Sequence, residues 1–119
     1  MKLFLLLLFI LVLGPFFTQG QSNKIDKLTA QLAKALTDKD KTDIYNQLSS
    51  EIKVTNVDSA INLAYKAHEL ATKNNYTYGE GTAYLCIALA NIVKGKYEFA
   101  YENATKATAI AEKIGSDSL

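Results

Sequence analysis

The chain has 119 residues and nearly balanced charge, with 13 basic side chains against 12 acidic ones and a formal net charge of +1, so it is long enough for one small domain. Every basic side chain is a lysine, and the absence of arginine, the residue best suited to bidentate phosphate and base recognition, argues against a nucleic-acid partner. The single cysteine, Cys86, excludes an internal disulfide, so side-chain packing must stabilise the fold.

The first twenty residues have the three-part layout of a secretory signal peptide. Lys2 supplies a basic start, residues 3–12 are an unbroken apolar run, and residues 14–15 interrupt the segment. This layout predicts a signal peptide over residues 1–20 with cleavage before Gln21. Because the apolar core is shorter than the ~20 residues of a spanning helix, a cleaved signal peptide is favoured, and an uncleaved membrane anchor is the alternative. We expect no membrane span beyond the signal peptide. The predicted location is the periplasm or cell envelope.

Apolar residues spaced three and four apart predict five helices in the rest of the chain. The first covers about residues 23–37 and is followed by a charged connector at 38–41, so residues 21–41 are predicted to be a leading helix and connector. The second helix is capped by Asp40 or Thr42, since either side chain can accept a bond from a free backbone N–H. It stops near residues 55–56.

The third predicted helix covers about residues 58–73. Asn56 or Asp58 caps its start. Asn74 and Asn75 close it, because asparagine tolerates the left-handed backbone conformation that often follows a helix.

The fourth helix covers about residues 79–94 and ends at Gly95, where glycine adopts a left-handed conformation without steric cost. Tyr97 opens the fifth helix. No segment shows the strict alternation of a half-buried strand, so the predicted fold class is all-α. The connectors are short, and sequential helices are therefore expected to lie antiparallel.

Two parts of the chain repeat each other forty residues apart. A repeat of this length, built from helices, is typical of a solenoid whose units bury their apolar faces only by stacking. The identical residues are Ala60, Ala64, Lys66, Ala67, Ala71 and Lys73, which recur at Ala100, Ala104, Lys106, Ala107, Ala111 and Lys113.

The repeated pattern resembles the tetratricopeptide repeat, a helix-turn-helix unit. The second unit matches at the large aromatic position, the following apolar and small residues, the turn and the helix-crossing positions: Tyr84, Ile87, Ala88, Gly95, Tyr97, Ala100 and Ala107. The first unit matches less closely, because Thr55 and Val57 stand where the family has glycine and tyrosine. Its first helix is also displaced by about one residue.

The resemblance implies an α-solenoid of two helical hairpins over residues 42–119. It also implies a non-enzymatic scaffold that binds a protein or peptide. An alternative is the periplasmic input region of a membrane-bound histidine kinase or transcription regulator, because the leading helix and long repeats are similar to the exported front part of such proteins. The first helix of each unit lines the concave groove in this family, and the groove residues it implies are Tyr45, Ser49, Thr82, Leu85 and Leu89.

The last predicted helix has no helix after it to cover its alanine-rich stripe. Residues 115–119 align with residues 75–79, where the next hairpin begins. We therefore expect the repeat array to be truncated at the C-terminus. An uncovered apolar stripe also favours self-association.

The titratable residues give no recognisable catalytic or metal-binding set. Asp38, Asp40 and Asp43 lack the glycine and the bidentate glutamate of an EF-hand loop, which favours a solvated connector. His68 has no acidic or metal-binding partner three or four residues away, so we expect a partly exposed surface histidine. Cys86 lies in an apolar run and is expected to fill the core. We therefore predict no enzyme activity, no metal and no cofactor.

Overall fold

The computed structural model describes residue 20 and residues 22–117. The predicted signal segment, apart from a helical Gly20, and the predicted cleavage site lie outside the described residues. The described residues are almost entirely helical and contain no strand, which confirms the all-α prediction. The helices are α1 (residues 22–34), α2 (Asp38–Ile52), α3 (Val57–Lys73), α4 (Thr77–Val93) and α5 (Tyr97–Asp117).

The helices form two stacked antiparallel hairpins, as the short connectors predict. The first hairpin is α2 with α3 and the second is α4 with α5, while α4 packs against both helices of the first hairpin. Helix α1 is tied to α2 by an ion pair of 2.7 Å between Lys24 Nζ and Glu51 Oε1, and its Leu28 is buried. Because α4 contacts α2 and α3 as well as α5, it joins the two hairpins.

Helix α2 begins earlier than the sequence predicts. The side chain of Thr37 is its cap and accepts a bond from the Asp40 N–H at 3.1 Å. The prediction of a connector at residues 38–41 is wrong, and so is the prediction of Asp40 or Thr42 as caps. Carboxylates are favourable in the first turn of a helix, where free N–H groups and the helix dipole are positive, so this charged stretch continues as helix. The Thr42 hydroxyl instead donates to the Asp38 carbonyl at 2.8 Å.

The predicted cap of α3 and the left-handed residues predicted after α3 and α4 are confirmed, whereas α1 and α2 end earlier than predicted, at residues 34 and 52, and α4 begins earlier, at residue 77. The Asn56 side chain accepts a bond from the Ser59 N–H at 3.1 Å and caps α3. Asn75 has φ 55° after α3, and Gly95 has φ 81° after α4. Each left-handed residue is followed by an N–H that bonds back to the helix, from Tyr76 to Ala71 and from Lys96 to Asn91, which satisfies carbonyls at both helix ends.

The core between the helices is made largely of alanine. Small side chains let helix backbones approach closely, so the longer side chains fill the space beside them. Ile87 of α4, 1 % exposed, packs in one buried cluster with Ala64 of α3 and with Cys86. The alanines that are buried are Ala60, Ala64, Ala67, Ala71, Ala83, Ala88, Ala90 and Ala100.

The two hairpins repeat with two different offsets. The first helices begin at residues 38 and 77, which are 39 apart, whereas the second helices begin at residues 57 and 97, which are 40 apart. The second unit is one residue longer between the starts of its two helices: α4 with its turn covers residues 77–96, whereas α2 with its turn covers residues 38–56. The residue that the first unit lacks explains the one-residue displacement that its sequence shows.

Side-chain contacts show the same register. The Lys66 ammonium lies 5.8 Å from the Tyr45 ring centroid, and the Lys106 ammonium lies 5.5 Å from that of Tyr84. The tyrosines are 39 residues apart and the lysines 40. Tyr45 is therefore the structural counterpart of Tyr84.

Candidate functional site

A groove of about 430 Å³ lies between the first helices of the two hairpins, α2 and α4. We call it the concave groove. Its walls mix polar side chains from α2 with more apolar side chains from α4. The residues that line it are Asp43, Asn46, Gln47, Ser50, Tyr78, Thr82, Leu85, Cys86 and Leu89.

Three of the five residues that the sequence assigns to the groove lie on its α4 wall, namely Thr82, Leu85 and Leu89. Leu85 is 47 % exposed and Leu89 is 37 % exposed. Two leucines this exposed on one small surface offer apolar area that a partner would bury.

The structure places the other two residues outside the groove. Ser49 is 1 % exposed, and its hydroxyl donates to the Ala60 carbonyl of α3 at 2.7 Å, so it lies where α2 crosses α3. Tyr45 lies beneath Lys66 of α3. Neither residue lines the groove as predicted. Tyr45 and Ser49 stand 40 residues before Leu85 and Leu89, whereas equivalent positions of α2 and α4 are 39 residues apart.

The 39-residue offset identifies the groove residues that the sequence analysis missed. It pairs Asn46 with Leu85 and Ser50 with Leu89, and all four residues line the groove. A signal for this register is present in the sequence. An offset of 39 also aligns an apolar residue followed by a small one in both helices, Leu48–Ser49 with Ile87–Ala88, and all four are buried.

Asn46 is the most distinctive polar residue of the concave groove. It is 4 % exposed, and its Nδ2 donates to the Gly79 carbonyl at 3.2 Å, which fixes the orientation of the amide. Its Oδ1 is buried and has no hydrogen-bond partner. An unpaired buried acceptor is unfavourable by about 1–3 kcal/mol, so Oδ1 weakens the packing of α2 against α4.

Cys86 lines the same groove but is not activated as a nucleophile. It is 7 % exposed, and its thiol lies 3.5 Å from the Asn46 carbonyl, to which it donates. Burial raises the pKa of the Cys86 thiol, so the thiol form is favoured over the reactive thiolate. This position matches the predicted apolar filler role.

The acidic residues at the start of α2 hold the turn between α3 and α4. The Tyr76 hydroxyl donates to Asp43 Oδ1 at 2.7 Å, and Asn74 Nδ2 donates to Asp38 Oδ2 at 3.1 Å. Burial and the bond to Asp43 raise the pKa of Tyr76 well above its usual value. Within the described residues, no group of three or more His, Cys, Asp or Glu side chains is placed to hold a metal ion.

His68 is partly exposed, as predicted, with 26 % of its side chain accessible. Its ring lies 4.6 Å from the ring of Tyr84, centroid to centroid. Its Nε2 is 3.8 Å from Glu80 Oε1, which is beyond hydrogen-bond length. Desolvation, with a smaller effect of the Glu80 charge, raises the pKa of Tyr84.

Residues 14–113 match the family described as the SusR N-terminal TPR domain. The chain belongs to this family. TPR domains mediate protein–protein interactions, which agrees with the presence of an open concave groove. Neither the curated proteins nor the solved structures contain a significant match to this TPR domain. Among its described helices, none combines the length and the apolar character needed to cross a bilayer.

Proposed function

We propose that this TPR domain is an exported, non-enzymatic scaffold that binds a segment of a partner protein in the concave groove. One observation carries the proposal: the exposed Leu85 and Leu89 share the concave groove with the exposed polar side chains of Gln47 and Ser50. A peptide offers both kinds of complement. Its backbone amides pair with the polar side chains, and its apolar side chains cover the leucines.

The remaining groove residues support a peptide over a charged small molecule. Asp43 is the one charged residue among those that line the groove, and its carboxylate already accepts a bond from Tyr76. Gln47, Ser50 and Thr82 supply neutral donors and acceptors that suit backbone amides.

Site-specific photo-crosslinking in the native host tests the groove directly. A photoreactive residue at Gln47, which is exposed and lines the groove, is expected to form an adduct with a partner protein. The same residue at Glu69, exposed on α3 and outside the groove, is expected to form none. Leu89→Lys should abolish the Gln47 adduct without unfolding the domain. Equal adducts from both positions, or no adduct from Gln47, would contradict the proposal.

Export is the second part of the proposal and is supported by the signal-like residues 1–20. A fusion of alkaline phosphatase after residue 34 should be active, because that enzyme works only outside the cytoplasm. Deletion of residues 3–12 should remove the activity while the fusion protein is still made. Full activity of the deleted form would rule out export by this segment.

The alternative function is the input region of a longer regulatory protein, a membrane-bound histidine kinase or transcription regulator. The family description favours it, because it names an N-terminal domain of SusR and so a domain that precedes other sequence there. In that case Leu89→Lys would change the output of the intact regulator. A scaffold without output would lose its partner and leave transcription of target genes unchanged.

A further inference from the structure

A second cleft, of about 410 Å³, lies between α1 and α2. We call it the α1 cleft. It is formed by the C-terminal end of α1, the connector that follows it and the first two turns of α2. Among the residues that line it are Lys34, Ala35, Leu36, Asp40, Asp43 and Ile44.

The α1 cleft is continuous with the concave groove, because Asp43 lines both. A single stripe of α2 runs through the two, since its residues follow one another at spacings of three and four. The stripe consists of Asp40, Asp43, Gln47 and Ser50. At 1.5 Å per residue it is about 15 Å long. An extended segment of about five residues spans that distance.

Leu36 is the most exposed large apolar side chain in the described part of the protein, with 95 % of its surface accessible. It lies in the connector between α1 and α2, so its exposure does not depend on where the repeat array stops. The next residue, Thr37, caps α2 and holds the connector at the start of that helix. A partner that covers Leu36 would remove apolar surface from water.

The α2 wall of the α1 cleft is acidic. Asp40 is exposed, and none of the ion pairs found among the described residues involves its carboxylate. Its backbone N–H, and not its side chain, takes part in the Thr37 cap. Asp43 follows one helical turn later, while Lys34, the basic residue of the cleft, lies on the α1 wall. A positive charge of a partner is therefore favoured along α2.

We propose that the α1 cleft extends the concave groove and that the partner segment has a basic residue between two apolar ones. One apolar side chain covers Leu85 and Leu89 of α4. The lysine or arginine lies beside Asp40, and the second apolar side chain covers Leu36. Continuity through Asp43 and the charge of the α2 wall identify this occupant.

The inference rests on the proposed function, because it takes the concave groove as one half of the site, and it adds the chemistry of the partner. A library of random seven-residue peptides displayed on phage, selected against the full chain, is the probe. The enriched sequences are expected to carry lysine or arginine between two apolar residues. The most enriched sequence, made as a labelled free peptide, should bind the chain saturably.

Two matched pairs of variants locate the peptide. Leu36→Ser should weaken binding at least fivefold, whereas Val54→Ser, at an apolar residue that is 74 % exposed and lines neither cleft, should have no effect. Asp40→Lys should weaken binding at least tenfold, whereas Glu69→Lys, exposed on α3, should not. Glutamate in place of the basic residue of the peptide should restore binding to the Asp40→Lys chain, which a merely structural effect of the substitution would not allow.

A photoreactive residue at Gln47 separates this inference from the proposed function. A peptide that forms an adduct there but ignores Leu36→Ser and Asp40→Lys would overturn the inference and leave the proposed function intact. A peptide that binds without a Gln47 adduct, or a selection that enriches no sequence, would contradict both. A dimer of the chain alone that Leu36→Ser dissolves would make a second copy the occupant and overturn the inference.

Discussion

At the scale of single residues, neighbouring positions on α2 have opposite environments. Asn46 is almost fully buried and donates to the Gly79 carbonyl, whereas Gln47 is exposed on the same groove. The cost of a new charge therefore depends on which of the two residues carries it. Burying a carboxylate without a partner is strongly unfavourable, while an exposed one is solvated.

Asn46→Asp is predicted to destabilise the domain by about 2–4 kcal/mol at pH 7, because it removes the donor to Gly79 and buries a charge. Urea unfolding measures the change. The matched variant Gln47→Glu should stay within about 0.5 kcal/mol of the parent. The penalty at Asn46 should shrink as the pH falls toward 4, because the buried acid is then neutral. Equal effects at both positions would contradict the burial of Asn46.

Tyr76 gives a prediction for alkaline pH. Its pKa is raised in the folded state from a usual value of 10.0, so its contribution to stability is fully present below pH 10 and is lost as the pH rises above it. The free energy of unfolding should therefore fall above pH 10. Tyr76→Phe should lower stability at pH 7, through loss of the bond to Asp43, but flatten the alkaline decline. An unchanged decline would show that Tyr76 does not cause it.

At the scale of elements, the C-terminal end of each first helix, together with its turn, determines the register of the fold. The turns after α3 and after α4 each contain one left-handed residue, Asn75 and Gly95 respectively. In both turns the next N–H bonds back to a carbonyl of the helix. In the described residues, the longer turn at 53–56 has no residue with positive φ. The turn residues were readable from the sequence because asparagine and glycine are the residue types that this conformation requires.

Gly95→Ala is predicted to destabilise the domain by about 1–2 kcal/mol, because φ 81° is unfavourable for a residue with a Cβ. Gly115→Ala is the control. Gly115 is helical and has open space around an added Cβ, so alanine there should be neutral or stabilise by up to about 1 kcal/mol. Thermal unfolding of both variants checks the opposite signs. Destabilisation by both would count against this account of the turn.

The helices were predictable and the groove only partly so. Apolar spacing, Asn56, Asn75 and Gly95 located the helices because these signals are local. The start of α2 was missed because charged residues at 38–41 suit both a loop and the first turn of a helix. The groove residues of α2 were displaced by one because they follow the 40-residue repeat of α3 and α5. The match of Leu48–Ser49 to Ile87–Ala88 is the weaker signal for the 39-residue register.

At the scale of the whole molecule, the two hairpins are stabilised by one shared interface. Ile87 of the second hairpin packs with Ala64 of the first, and α4 contacts both α2 and α3. Neither hairpin buries its small-residue stripe alone. We therefore expect them to unfold together.

Ile87→Ala is predicted to cost about 2–5 kcal/mol, since it leaves a cavity between the hairpins. Native-state hydrogen exchange reports the effect on each helix separately. Amides in α2 and α3 should lose as much protection as those in α4 and α5. Loss confined to the second hairpin would mean that the hairpins are independent units.

The central claim is that α2 and α4 face each other across the concave groove with a 39-residue register. Thiol labelling tests it most directly, with single cysteines at positions 49 and 50 in a Cys86→Ala background. Ser50→Cys is predicted to react at nearly the rate of a free thiol, whereas Ser49→Cys, buried against α3, should react at least a hundred times more slowly. Fast labelling at position 49 with protection at position 50 would contradict the claim.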